Sequence, residues 1–322
     1  MVATEMLEAI HLAYQPAQLL GIPIALIGAC FLSFGAQMQH HGVVKVESQT
    51  DENTGGLNLK QLGLLMARPS WVIGTLLLGL AIVFQLVSLN LSPIILVQPL
   101  GVVGLVITSI LNAKVSHVRL NRQSIVSVSL CVGGVGAFVL IAAVFAKDVP
   151  ISARELIIIL IILGVVLALF GLFFWLFRQR FQALIYIVGA GVLYGFVATL
   201  AKVVIDRISN REWDWLLIVC ILALLAAAGL GAYFVQNAYS SGPPDLVIAG
   251  LTVIDPLVAV TIGIVVLNEA DGAPLWALIG FVATGVVAIA GVFRLSRYHP
   301  QAISEATATV SSADESDSSA IE

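Results

Sequence analysis

Asp255 sits in the middle of an apolar run, residues 244–267, and is followed at once by Pro256. Counted from Pro244 at 1.5 Å per residue, it lies about 16 Å into a helix, near the centre of a hydrocarbon core about 30 Å thick. A carboxylate at that depth costs about 2.5–3.5 kcal/mol to insert. The chemistry it offers is reversible binding of a proton or a cation, a metal ion included. Pro256 removes a backbone donor and loosens the helix at that point. The competing reading is a protonated Asp hydrogen-bonded to a neighbouring helix. Asp245, at the start of the same run, reads as a helix-capping carboxylate.

Other polar residues lie in or near apolar runs. Gln85, Gln98, Gln236 and Asn237 are neutral amides. Hydrogen bonds between helices are their usual role, worth about 0.6 kcal/mol each. Lys202 has two readings: it snorkels to the nearby loop at Asp206, or it pairs with Asp255. Glu269, with Asp271 close by, is either a solvated loop carboxylate or part of a cation vestibule. His40 and His41 are adjacent and point about 100° apart on a helix, which is poor geometry for a shared metal. Cys30, Cys131 and Cys220 lie in apolar runs and read as small buried hydrophobes.

The elements that must position these groups are membrane spans. Of 322 residues, 59% are apolar and 11% charged, against about 25% charged in soluble domains. That excludes soluble, fibrous and disulfide-stapled classes. A net charge of −4 gives no case for nucleic acid. Nine runs are long enough to cross as helices, at about 19–41, 71–91, 93–113, 123–146, 155–177, 181–206, 213–239, 244–267 and 274–296. Residues 1–18 carry Glu5 and Glu8 and no basic residue, so they do not read as a signal peptide.

In the loops, ten Lys/Arg lie on the face opposite the N-terminus and four on the N-terminal face. That bias predicts an outside N-terminus and a cytoplasmic C-terminus in the cell membrane. The loop 43–70 contains a short apolar stretch, Leu57–Leu65, expected to lie in the interface. The acidic, Ser/Thr-rich tail, 298–322, is expected not to fold.

The chain also repeats itself. Gln85 is followed eight residues later by Pro93, and Gln236 eight residues later by Pro244. Residues 19–146 and 181–297 thus read as two four-helix units, with 155–177 as a single linking helix. One odd span between them inverts the second unit. This arrangement places a substrate site at the interface of the repeats. The fold class is therefore all-α and polytopic, as two inverted four-helix repeats.

Leu96–Val97–Gln98–Pro99–Leu100–Gly101, after Ser92–Pro93 and before Ser109–Ile110–Leu111, resembles a stretch of the NIPA-type magnesium transporters. These belong to the drug/metabolite transporter superfamily. The likeness runs from about Gly21 to Arg297, and it implies a membrane transporter of a cation such as Mg²⁺ working by alternating access. There are departures from the family pattern. Gln39–His40–His41–Gly42 replaces a basic cluster, and Val118 stands where a carboxylate is expected, although Glu269 and Lys202 match their counterparts.

The alternatives are a proton-coupled exporter of a small organic solute and a non-transporting scaffold. An enzyme is not expected, because the chain has no HExxH, GxSxG or phosphate-cradling motif. The expected partners are the lipid bilayer, a small solute or cation, and a second copy in a homodimer; no cofactor is expected.

Overall fold

The computed structural model describes residues 16–47, 66–115, 122–177, 182–241 and 244–298. Among them there is no strand, and nine helical spans are long and apolar enough to cross a membrane. A short 3-10 turn, Pro16–Leu20, leads into α1 (Gly21–Glu47). α2 (Pro69–Leu91) starts with Pro in its first turn, where the missing N–H is not needed. The third span runs through α3 (Ile94–Val97), a 3-10 turn (Gln98–Leu100) and α4 (Gly101–Val115).

The remaining spans are α5 (Arg122–Phe145), α6 (Ala153–Phe177), α7 (Gln182–Ser209), α8 (Trp215–Ser241), α9 (Pro244–Val265) and α10 (Leu275–Tyr298). Asp214 caps α8, its Oδ1 accepting the Leu217 N–H at 3.1 Å. Asp214 also receives the Arg207 guanidinium at 2.9 Å.

Three expectations change. α1 continues helically to Glu47, so the loop between the first two spans starts later than residue 43. The third span is not uniformly α-helical: Pro99 has no N–H to continue the ladder, and Gln98–Leu100 tighten to a 3-10 turn within a backbone that stays helical. Arg207, one of the four basic residues read as loop charges of the N-terminal face with Lys147, Arg154 and Arg211, is buried in the last turn of α7. The interfacial stretch Leu57–Leu65 and nearly all of the tail lie outside the described residues.

The helix pairing is the same in both halves. α1 packs on α2 and α4, and α7 packs in the same way on α8 and α9. α5 and α10, the last spans of the two halves, pack on each other. α6 contacts its neighbours least and lies at the edge of the bundle. Ser92, Asp148, Lys202 and Glu269 meet at one end of the bundle. Ser92, Asp148 and Glu269 follow spans and Lys202 lies in the last third of α7, so up-and-down alternation with an odd span between the halves brings all four toward that face. We call it the N-face, because α1 begins there.

Small residues let the helices approach. A Cβ on Gly191 would stand 2.6 Å from Ile254 Cβ, and one on Gly195 would stand 2.7 Å from Val258 Cβ and 3.0 Å from the Asp255 carbonyl. Both glycines press α7 against α9 at the level of Asp255, as the Gly191/Gly195 spacing suggests. Gly134 is held as closely to Ala288, whereas Gly133 and Gly285 face open space.

A substitution pair tests this packing. Gly191→Val should destabilise the protein by about 1–3 kcal/mol through overpacking. Gly229→Ala, with nothing within 4 Å, should be neutral or slightly stabilising. Thermal melting in detergent reads both, and equal melts for the two variants would contradict the close approach.

Candidate functional site

The first site grows out of the turn in the third span. Gln98 and Gly101 at the turn face α1, α2, α7 and α9 across a cavity of about 510 Å³. Its walls are mostly apolar, with small residues such as Ala25, Ala29, Ala198 and Ala201 among them. The polar groups on its lining are Gln85, Gln98, Tyr194, Thr252 and Asp255, so Asp255 supplies its one carboxylate. As a residue Asp255 is half-buried, and its Oδ1 is buried with no hydrogen-bond partner among the described residues.

A buried polar atom without a partner is costly. Here it borders space that a ligand can enter. One turn earlier on α9, the Thr252 carbonyl lacks its helical donor because Pro256 has no N–H. The cavity therefore combines a carboxylate, two amides, a phenol and a loosened backbone in an apolar shell. Such a site can bind one positive charge. No group of three or more His, Cys, Asp or Glu comes together among the described residues to cage a metal.

The second polar cluster lies nearer the N-face. Glu269 is 1% exposed. Its carboxylate accepts the backbone N–H groups of Ile94 at 2.8 Å and Ile95 at 2.9 Å. These are free donors at the start of α3, where a negative charge is also favoured by the helix dipole. Lys202 Nζ donates to the Ser92 carbonyl at 2.9 Å and to Asp148 Oδ1 at 2.8 Å, and lies 3.4 Å from Glu269 Oε1.

The turn that delivers Glu269 is tight. Asn268 has φ 54, tolerable for Asn, and Gly263 leaves room where a Cβ would stand 2.9 Å from Glu269 Oε2. Burial pushes the Glu269 carboxyl above the usual glutamate range, while the Lys202 ammonium and the two amides pull it back.

Each predicted residue has a definite place. Asp255, Gln85 and Gln98 come together on the cavity. Gln236 is exposed on α8, and Asn237 donates to its own helix at the Tyr233 carbonyl, 2.7 Å away; neither lines the cavity. The sequence repeat pairs Gln85 with Gln236, but only Gln85 reaches the site. Both readings of Lys202 are corrected: it neither snorkels nor pairs with Asp255. It is 3% exposed and bound by Asp148 and Glu269. Glu269 is likewise neither solvated nor in an open vestibule.

Sequence reasoning missed Asp148 and Tyr194. Asp148 carries no local signal, since its partner is 54 residues away. Tyr194 could have been found, because Tyr194, Ala198 and Ala201 share one helical face.

No family model and no solved structure matches the chain. A protein of Corynebacterium glutamicum, described as uncharacterised, is 26% identical over 286 residues, covering 87% of this chain and 96% of that protein. The similarity thus spans both molecules nearly end to end and brings no assigned activity with it.

Proposed function

We propose that the protein is a secondary transporter that binds a cation at Asp255 and exposes the cavity alternately to the two membrane faces. The observation that carries this reading is the buried, unpartnered Asp255 Oδ1 on a cavity lined by helices of both halves. The turn at Pro99 supports it, since Gln98 and Gly101 on either side of it line the cavity. The resemblance of residues 92–111 to NIPA-type transporters of the drug/metabolite superfamily makes Mg²⁺ the first substrate to test. Mg²⁺ keeps several waters and needs only one or two carboxylates. Asp255 with the Gln85 and Gln98 amides suits a hydrated ion.

One observation favours a second substrate. The walls are largely apolar and the cavity is larger than an inorganic ion needs. An organic monocation, exchanged for the Asp255 proton, fits that chemistry. Proteoliposomes containing a Mg²⁺-sensitive dye, and parallel ones given labelled tetraethylammonium, separate the two. Uptake of either that depends on protein and responds to a pH gradient supports transport. No uptake of either cation, with or without the gradient, counts against the reading.

In this reading the N-face is extracytoplasmic and the membrane is the cell membrane, following the ten-to-four bias of loop Lys/Arg. A reporter fused after Ile303 should behave as cytoplasmic. Extracytoplasmic behaviour would reverse the orientation.

A further inference from the structure

Binding a cation at Asp255 makes no use of the cluster around Lys202. Lys202 belongs to α7 and Glu269 to the turn after α9, both in the second half. They hold the Ser92 carbonyl and the N–H groups of Ile94 and Ile95, which start the third span of the first half. Asp148, the remaining partner of Lys202, follows α5, the last span of that half. Every one of these contacts therefore ties one half to the other.

The ties lie between the cavity and the N-face. Leu89, Ile94, Ile95, Leu96, Leu200 and Val203, from the same segments, are each at most 2% exposed and belong to one packed core. Leu89 also lines the cavity, so this packed layer borders it.

Apolar side chains alone could close the way from the cavity to that face. A buried ion cluster is no better than a hydrophobic replacement for stability. It differs in one respect: its members can be solvated when they separate, so the contact can be made and broken. Asp148 gives the cluster a wet edge, because its side chain is 37% exposed. Asp206, about one turn further along α7, adds a charge that acts on both Lys202 and Asp148.

The repeat does not duplicate the device. In the sequence, the position 151 residues before Glu269 is Val118, so the carboxylate itself is not repeated.

We propose that Lys202, Asp148 and Glu269 form a latch that holds the N-face entrance of the cavity shut, and that the cavity opens to that face only when the latch breaks. The inference rests on the transporter reading, because a latch has a purpose only if the cavity must open. Latched there, the chain rests closed to that face, and each cycle must separate Lys202 from Asp148 and Ser92.

The test uses the full chain in oriented proteoliposomes. The three native cysteines are replaced by Ala and a single cysteine is placed on the cavity wall as Ala198→Cys. A membrane-impermeant maleimide is added on the N-face. The latched parent should react slowly, far more slowly than a control cysteine at exposed Lys147.

Asp148→Asn and Lys202→Met, each added to this parent, should raise the rate about tenfold or more. That is the population change expected when a hydrogen bond between charged groups loses the charge of its acceptor or loses its donor. A rate within twofold of the parent in the Asp148→Asn variant overturns the latch, as does a parent that reacts as fast as the Lys147 control. If Lys202→Met does not fold, Asp148→Asn decides alone, since Asp148 is at the surface edge.

Failure of the latch is distinguishable from failure of the transport site. Labelling that follows the latch variants while Asp255→Asn still transports keeps the latch and removes Asp255. Labelling that ignores them while Asp255→Asn is inactive does the reverse.

Discussion

Asp255→Asn should lose cation uptake by at least about thirtyfold, the effect of removing about 2 kcal/mol of charge pairing at a desolvated site. Asn keeps the shape and the hydrogen-bonding capacity of Asp but neither the charge nor the exchangeable proton. Folding should not suffer, because the Oδ1 it replaces has no partner in the unliganded protein. Melting in detergent should stay the same or rise as that penalty is relieved. Asp255→Glu keeps the charge and should retain part of the activity with altered substrate preference. Normal transport by Asp255→Asn, with unchanged pH dependence, would mean that Asp255 is a packing element and that the cavity is not the site.

The second large effect concerns stability. Glu269→Ala removes the acceptor for two backbone N–H groups and one of the two carboxylates near Lys202. Breaking a buried charged contact in this way costs about 3–5 kcal/mol. The variant should melt well below the parent and reach the membrane in reduced amount. Glu269→Gln keeps one acceptor oxygen and should fall between the two. Because the cluster lies away from Asp255, cation affinity of the folded fraction should be unchanged in Glu269→Gln. A Glu269→Ala protein that melts like the parent would show that the contacts at Ile94 and Ile95 contribute nothing.

Much of the fold is legible in the sequence, because a bilayer demands long apolar runs and leaves few other solutions. The run expected at 71–91 is Pro69–Leu91, and that at 123–146 is Arg122–Phe145. The turn at Gln98–Leu100 is harder to see: Pro99 lies near a helix start, where Pro is normally tolerated, and only its neighbours decide whether the ladder continues. The position of Asp255 near the bilayer centre follows from its place in the run, but that it faces the cavity does not, since Leu257 at the same depth is exposed.

The environment of Lys202 does not follow from any local property. Its partners are 54, 67 and 110 residues away, and helical periodicity is silent about contacts between distant turns. The repeat misleads at Gln236, because the two halves share their helix pairing but not the faces that line the cavity. The close approach at Gly191 and Gly195 requires the missing Cβ, whereas Gly285 has nothing within 4 Å of where a Cβ would stand.

The central claim is that one carboxylate, Asp255, is shared between a proton and a cation. Equilibrium binding of Mg²⁺ and of tetraethylammonium to the purified protein across a range of pH tests this most directly. If both ligands compete for that carboxylate, the apparent Kd of the bound cation rises as pH falls, approaching tenfold per pH unit once the group is mostly protonated. The same titration on Asp255→Asn should show no such dependence and little binding. Cation binding that is pH-independent in the parent, or equally strong and equally pH-dependent in Asp255→Asn, would contradict the account.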